Sequence, residues 1–229
     1  MLGGAARVSS SEWNSGECYP FEPMAAKPRH FSMIRGFHLA DFFTLANAAC
    51  GTACVFLSML YAASESLPYF LFAAAMAPAA FIFDVFDGKI ARSRQQHSAL
   101  GRELDSLADV ISFGVAPAAM GFAAGMQGGW DAVILLYFVC CGVSRLARYN
   151  VTAESLSGES GKVKYFEGTP IPTSVVIVGV LAWLAWNGQL GDDLWGGALV
   201  LGWTLHPLAL LYAVSGSLMI SKTLHIPKL

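Results

Sequence analysis

The chain has 229 residues, 55% of them hydrophobic and only 13% charged, with a formal net charge of −2 at neutral pH. Soluble domains carry about 25% charged residues, so this composition, with a mean hydropathy of +0.52, excludes an ordinary soluble domain and points to a membrane protein. The five cysteines, Cys18, Cys50, Cys54, Cys140 and Cys141, have neither metal-ligand spacing nor the pattern of a disulfide framework, and no nucleic-acid partner is expected.

Residues 1–35 are rich in Gly, Ser, Pro and Glu and have no apolar periodicity. They read as a flexible cytoplasmic tail without the basic start and apolar stretch of a secretory signal. "FSMIRGFHLADFF" (31–43) then reads as a short interfacial helix. Residues 36–229 form one all-α membrane domain with six predicted transmembrane helices, each needing ~20 mostly apolar residues. They are placed at 41–63, 67–93, 99–125, 130–150, 171–187 and 194–219. Pro68 starts the second, and Pro78 is expected to kink it. "GMQGG" ends the third, "GTPIP" precedes the fifth, and Pro207 is expected to bend the sixth. No internal repeat is visible.

The 14 basic residues partition cleanly. Arg7, Lys27, Arg29 and Arg35 precede the first helix; Lys89, Arg92, Arg94 and Arg102 lie at the junction of the second and third. Arg145, Arg148, Lys162 and Lys164 lie between the fourth and fifth, and Lys222 and Lys228 follow the sixth. The other three loops have none, so the positive-inside rule places both termini and the second-to-third junction in the cytoplasm.

That junction, "DVFDGKIARSRQQHSALGRELDSLAD" (84–109), carries four aspartates. Asp84 and Asp87 are three apart and share one helix face; Asp105 and Asp109 are four apart and share another. A short connection makes the two helices antiparallel neighbours, so the pairs can face each other. One Asp at the membrane centre costs about 2.5–3.5 kcal/mol, and four repel one another as well. Two divalent cations would balance four carboxylates, and all-oxygen donors favour Mg²⁺, Mn²⁺ or Ca²⁺. Such an ion pair is a device for phosphoryl displacement. Gly88, Ala91 and Gly101 remove bulk beside the carboxylates, as close approach of a nucleotide would require, and Arg92 can face a phosphate.

The pattern D-x-x-D-G-x-x-A-R-x(8)-G-x-x-x-D-x-x-x-D resembles the signature of the CDP-alcohol phosphatidyltransferases at every fixed position: Asp84, Asp87, Gly88, Ala91, Arg92, Gly101, Asp105 and Asp109. The resemblance implies a six-helix integral membrane enzyme, usually a homodimer, with a dinuclear metal site for the diphosphate of a CDP-linked lipid. Asp84, Asp87 and Asp105 are then metal ligands, and Asp109 is a ligand, a general base, or both. "TLANAACG" (44–51), "SRLARYNV" (144–151), "YFEGTPIPTS" (165–174) and "GSLMISKTLHIPKL" (216–229) resemble the CDP-diacylglycerol-dependent phosphatidylserine synthases within that family. The resemblance covers about residues 40–229.

It implies transfer of the phosphatidyl group from CDP-diacylglycerol to the hydroxyl of L-serine with release of CMP, the two metals (Mn²⁺ or Mg²⁺, with Ca²⁺ as a possible occupant) gripping the diphosphate and Asp109 assisting the hydroxyl. Arg145 and Arg148 are candidates for holding a phosphate or the serine carboxylate through forked hydrogen bonds. Tyr165 and Glu167, in the segment stiffened by Pro170 and Pro172, are candidates for the acceptor pocket, and Asn47 for the nucleotide or its surroundings. Each also has a plainer reading: positive-inside anchors, a helix-start signal and helix–helix bonding. The alternatives to serine are inositol and glycerol 3-phosphate. A divalent-cation transporter is a more remote reading, since it needs no Gly88, Arg92 and Gly101 at these offsets, and a non-catalytic scaffold would tolerate loss of the aspartates. The membrane expected is the endoplasmic reticulum in a eukaryote and the plasma membrane in a prokaryote.

Overall fold

The computed structural model describes residues 39–94, 99–156, 165–221 and 225–227. The expected N-terminal tail, the start of the interfacial helix and the connection at 95–98 lie outside them. Helix α1 is Leu39–Ser64 and α2 is Leu67–Arg94, with Pro68 in its first turn and Pro78 inside it. The next helical stretch has three parts: α3 Ala99–Asp109, a π-helical segment Val110–Val115, and α4 Ala116–Ala123. Helix α5 is Gly129–Leu156, and strand β1 is Tyr165–Glu167. A 3₁₀ turn, Ile171–Thr173, leads into α6, Ser174–Trp186. Strands β2 (Leu199–Leu201) and β3 (Trp203–Leu205) form a hairpin, followed by α7, Ala209–Ile220, and β4, His225–Pro227.

Four stretches are long and apolar enough to cross a membrane: Ala40–Ser64, Leu67–Ile90, Leu100–Ala123 and Gly129–Val151. At ~1.5 Å per residue each exceeds ~30 Å. The apolar helices Ile171–Trp186 and Ala209–Ile220 are shorter, about 24 and 18 Å. The expected sixth helix over 194–219 is therefore corrected. Its first half is irregular chain and the β2–β3 hairpin, in which Leu201 pairs with Trp203 around Gly202 at φ +77°. Gly196 and Gly197 also have positive φ, a conformation no helix accepts. Pro207 stands before the helix rather than bending it.

Helices α3–α4 and α6 end as glycine chemistry dictates. Gly125 (φ +120°) and Gly188 (φ +71°) adopt left-handed conformations. The next residues close Schellman turns, Met126 N–H donating to the Gly121 carbonyl at 3.2 Å and Gln189 N–H to the Leu184 carbonyl at 2.9 Å.

Helix α1 packs along α2, α5 along α7, and α6 against α2. The buried face of α2 is a row of small residues, Ala73, Ala77 and Ala80, which lets backbones approach where lipid supplies no hydrophobic drive. Phe70, Phe113, Phe138 and Tyr212 fill the core, and the Tyr212 hydroxyl donates to the Pro117 carbonyl at 2.7 Å. Phe56, Phe72, Leu136, Val176 and Trp186 point outward, as side chains facing lipid do. The hairpin is tied to the start of α5 through buried Asp131. That carboxylate accepts the Gly128 N–H at 2.9 Å and the His206 N–H at 2.8 Å, and its Oδ2 lies 2.6 Å from His206 Nδ1.

Candidate active site

The end of α2 carries Asp84 and Asp87, and α3 carries Asp105 and Asp109. Three of the four come together: one carboxylate oxygen from each of Asp84, Asp105 and Asp109 lies within 4.8 Å of the other two. Asp87 stands outside this triplet. It is buried and accepts a hydrogen bond from the Thr44 hydroxyl at 2.8 Å. One turn along α1, the Asn47 amide donates to Asp109 Oδ1 at 3.3 Å. Two residues of one helix thus hold one carboxylate from each pair.

The backbone beneath Asp109 is unusual. The π-helical segment begins directly after it, and such widened turns often occur at functional sites. Here the turn receives α1. The Ser112 hydroxyl donates to the Asn47 carbonyl at 2.8 Å. Opposite it, a Cβ on Gly51 would fall 2.6 Å from Ser112 Cα and collide with its Oγ. Only glycine permits the approach that carries Asn47 to Asp109.

Beside the aspartates lies a cavity of about 170 Å³. Its polar lining is Arg102, Asp105, Ser106, Asp109, Arg145 and Asn150; Leu146, Tyr149, Pro170, Ile171 and Pro172 complete it. Ser106 and Asn150 exchange hydrogen bonds at 3.2 and 3.0 Å, joining α3 to α5. Asp105 Oδ1, Arg102 Nε, Arg145 Nε and Asn47 Oδ1 are buried without a hydrogen-bond partner. Buried polar atoms are rarely left so, and a bound ligand would satisfy them.

The donor set fits a hard divalent cation. Like charges this close repel by about 3 kcal/mol per pair at an effective dielectric constant of ~20, and all the donors are oxygens. The cavity presents cationic side chains next to that acidic triplet, an arrangement suited to an anionic ligand bridged to metal.

Other predicted residues are placed unevenly. Gly88 and Gly101 are half-buried next to Asp87 and one turn before Asp105. Arg145 lines the cavity, whereas Arg148 is exposed and does not. Tyr165 and Glu167 lie in β1, which runs into the cavity-lining prolines. The side chains of Ala91, Arg92, Tyr165 and Glu167 lie outside the described part. Sequence reading missed Asp41 and Thr44, which with Asn47 form a buried polar stripe on α1. Their i, i+3, i+6 spacing in an apolar helix was the available signal. Ser106 and Asn150 were also missed; on their own they look like ordinary polar residues near helix ends.

The sequence profile of the CDP-alcohol phosphatidyltransferases matches residues 37–215, and the chain belongs to that family. Among its relatives, it is 42% identical over 203 residues to a CDP-diacylglycerol--serine O-phosphatidyltransferase of Saccharomyces cerevisiae, covering 87% of this chain and 74% of that one. It is 33% identical over 141 residues to the Bacillus subtilis protein of the same name, covering 61% and 72%. It is also 35% identical over 143 residues to an archaetidylserine synthase of Methanothermobacter thermautotrophicus, covering 61% and 55%.

Proposed function

We propose that this protein is a phosphatidylserine synthase, an enzyme that transfers the phosphatidyl group of CDP-diacylglycerol to the hydroxyl of L-serine and releases CMP. The observation that carries the chemistry is the convergence of Asp84, Asp105 and Asp109 within 4.8 Å beside a cavity bearing Arg145. The choice of serine is supported by the relatives' names, which vary in lipid and agree in serine.

Asp84, Asp87, Asp105 and Asp109 hold two divalent ions, Mn²⁺ or Mg²⁺, with Ca²⁺ as a possible occupant. When bound, these ions neutralise the diphosphate and the charge that builds on the departing CMP. Thr44 fixes the Asp87 carboxylate and Asn47 the Asp109 carboxylate. Asp109 accepts the proton of the serine hydroxyl as its oxygen bonds to the lipid-side phosphorus. The bond from that phosphorus to the bridging oxygen breaks, and CMP departs with the electron pair. Arg145 pairs with the serine carboxylate or a phosphate, giving its buried Nε the partner it otherwise lacks. Asn47, Gly88, Ala91, Arg92 and Gly101 accommodate the CDP-lipid, and Tyr165 and Glu167 contribute to the acceptor side with Arg148 at the rim.

The protein crosses the membrane six times with this site in the cytoplasm, and it acts as a homodimer. Two hydrogen bonds support six crossings. Gly191 N–H, just beyond α6, donates to the Ala124 carbonyl at the end of α4 at 2.9 Å, and Thr169 N–H, just before α6, donates to the Leu218 carbonyl near the end of α7 at 3.3 Å. The chain just beyond α6 thus meets the end of α4, and the chain just before α6 meets the end of α7.

The test is CMP release by the purified protein with CDP-diacylglycerol and Mn²⁺ or Mg²⁺, offering serine, inositol and glycerol 3-phosphate in parallel. Release is expected with serine only, and neither Asp109→Asn nor the EDTA-treated enzyme should support it. Release with another alcohol instead of serine overturns the acceptor. Absence of release with any of them, from folded metal-loaded protein, overturns the enzyme reading in favour of a cation transporter.

A further inference from the structure

The acceptor-side wall of the cavity is built on the loop between α5 and α6, and that loop is fastened to the C-terminal end of the chain. Strand β1 pairs antiparallel with β4: Tyr165 faces Pro227, Phe166 faces Ile226 and Glu167 faces His225. Just past β1, Gly168 has φ +75°, and a Cβ there would strike the Met219 carbonyl at the end of α7. Thr169 N–H donates to the Leu218 carbonyl at 3.3 Å. The next three residues, Pro170, Ile171 and Pro172, line the cavity that holds Asp109 and Arg145. Ile171 is fully buried, lying where a Cβ on Gly142 of α5 would come within 2.8 Å of its Cδ1. The wall therefore has two anchors, one inside the helical core and one on the C-terminal strand.

We propose that β4 is a positioning strap for the acceptor pocket: its backbone pairing with β1 holds Pro170–Pro172 in place for serine, without touching the metal ligands. An isolated two-stranded pairing is only marginally stable in water, so it needs the second clamp at Gly168 and Thr169. A wall that is already ordered spares the acceptor the cost of ordering it. Loss of the strap therefore weakens serine binding while the metal-held CDP-lipid and the chemical step remain. This rests on the serine-transfer reading above, and the two fail differently: an enzyme that never uses serine overturns that reading, whereas one that uses serine with an indifferent strap overturns this inference alone.

The experiment compares the full chain with a variant lacking residues 225–229, and with Ile226→Ala, which keeps the backbone pairing. Deletion is expected to raise the KM for serine about five- to tenfold, leaving the KM for CDP-diacylglycerol and the kcat at saturating serine within about twofold. Ile226→Ala is expected to behave as the parent. An unchanged serine KM on deletion, or a fall in kcat with KM unchanged, overturns the proposal. Because deletion could impair folding, the pair Phe166→Cys and Ile226→Cys provides a second test in the full-length protein. A disulfide that forms on mild oxidation and leaves the serine KM unchanged supports the seated strap as the active state. Failure to form it, or activity that returns only on reduction, overturns it.

Discussion

Asp87 and Asp109 each have a neutral partner on α1, Thr44 for the first and Asn47 for the second. Such partners orient metal ligands, and losing one typically costs 10–100-fold in affinity. Thr44→Val is accordingly expected to raise the metal concentration for half-maximal CMP release by about 10-fold or more, with kcat largely recovered at saturating metal. An unchanged metal titration would show that Asp87 needs no help from Thr44. The two arginines of α5 make a second contrast. Arg145 is half-buried in the cavity wall and Arg148 is exposed outside it. Lysine keeps the charge but loses the planar fork. Arg145→Lys should raise the serine KM about tenfold, the worth of roughly 1.4 kcal/mol, whereas Arg148→Lys should leave it within about twofold. Equal effects at the two positions would contradict the placement.

At the scale of elements, the decisive contact is α1 against the π-helical segment. Gly51 lies directly over Ser112, so Gly51→Ala must push the two apart. Overpacking of this kind costs about 1–3 kcal/mol, and here it also draws Asn47 away from Asp109. Gly51→Ala is expected to lower both the melting temperature and kcat; thermal unfolding in detergent and CMP release would read the two effects. A variant with parental activity would mean that the close approach is not needed for the site. The end of α1 offers the opposite sign. Glu65 has φ +54°, and its N–H donates to the Tyr61 carbonyl at 2.7 Å, a left-handed cap that glycine favours. A non-glycine residue pays about 1–2 kcal/mol for that conformation. Because glycine also has more freedom to lose on folding, Glu65→Gly should be stabilising by less than that, about 1 kcal/mol, with activity unchanged. A lower melting temperature would show that the Glu65 side chain contributes more than its backbone costs.

For the whole molecule, the proposed six crossings require both short helices to traverse the bilayer. Six crossings predict that single cysteines at Ser66, Gln127 and Gly188 all react with a membrane-impermeant maleimide from the side opposite a cysteine at Val151. If only the four long helices cross, Gly188 labels together with Val151. Helices of about 24 and 18 Å that crossed a slab of ~30 Å would require local thinning. The exposed Trp183, Trp186, Trp195 and Trp203 at that end are suited to the membrane interface.

Much of the function was legible in the sequence because its signals are short-range. Asp84 and Asp87, or Asp105 and Asp109, share a face whenever their segment is helical, and one junction separates the pairs. Helix ends at Gly125 and Gly188 follow from residues that tolerate a left-handed backbone. What the sequence could not disclose depends on approaches between segments far apart in the chain. The Thr44 hydroxyl finds Asp87 across 43 positions, and Asp131 captures the backbone and ring of His206 across 75. The hairpin at 199–205 was hidden because a short apolar run has no period that separates strand from helix. By itself, the sequence determined the membrane class, the four-carboxylate pattern and the family to which that pattern points. Only the tertiary structure decided which three carboxylates converge, which arginine reaches the cavity and that the C-terminal strand pairs with β1, because each requires one backbone to be packed against another.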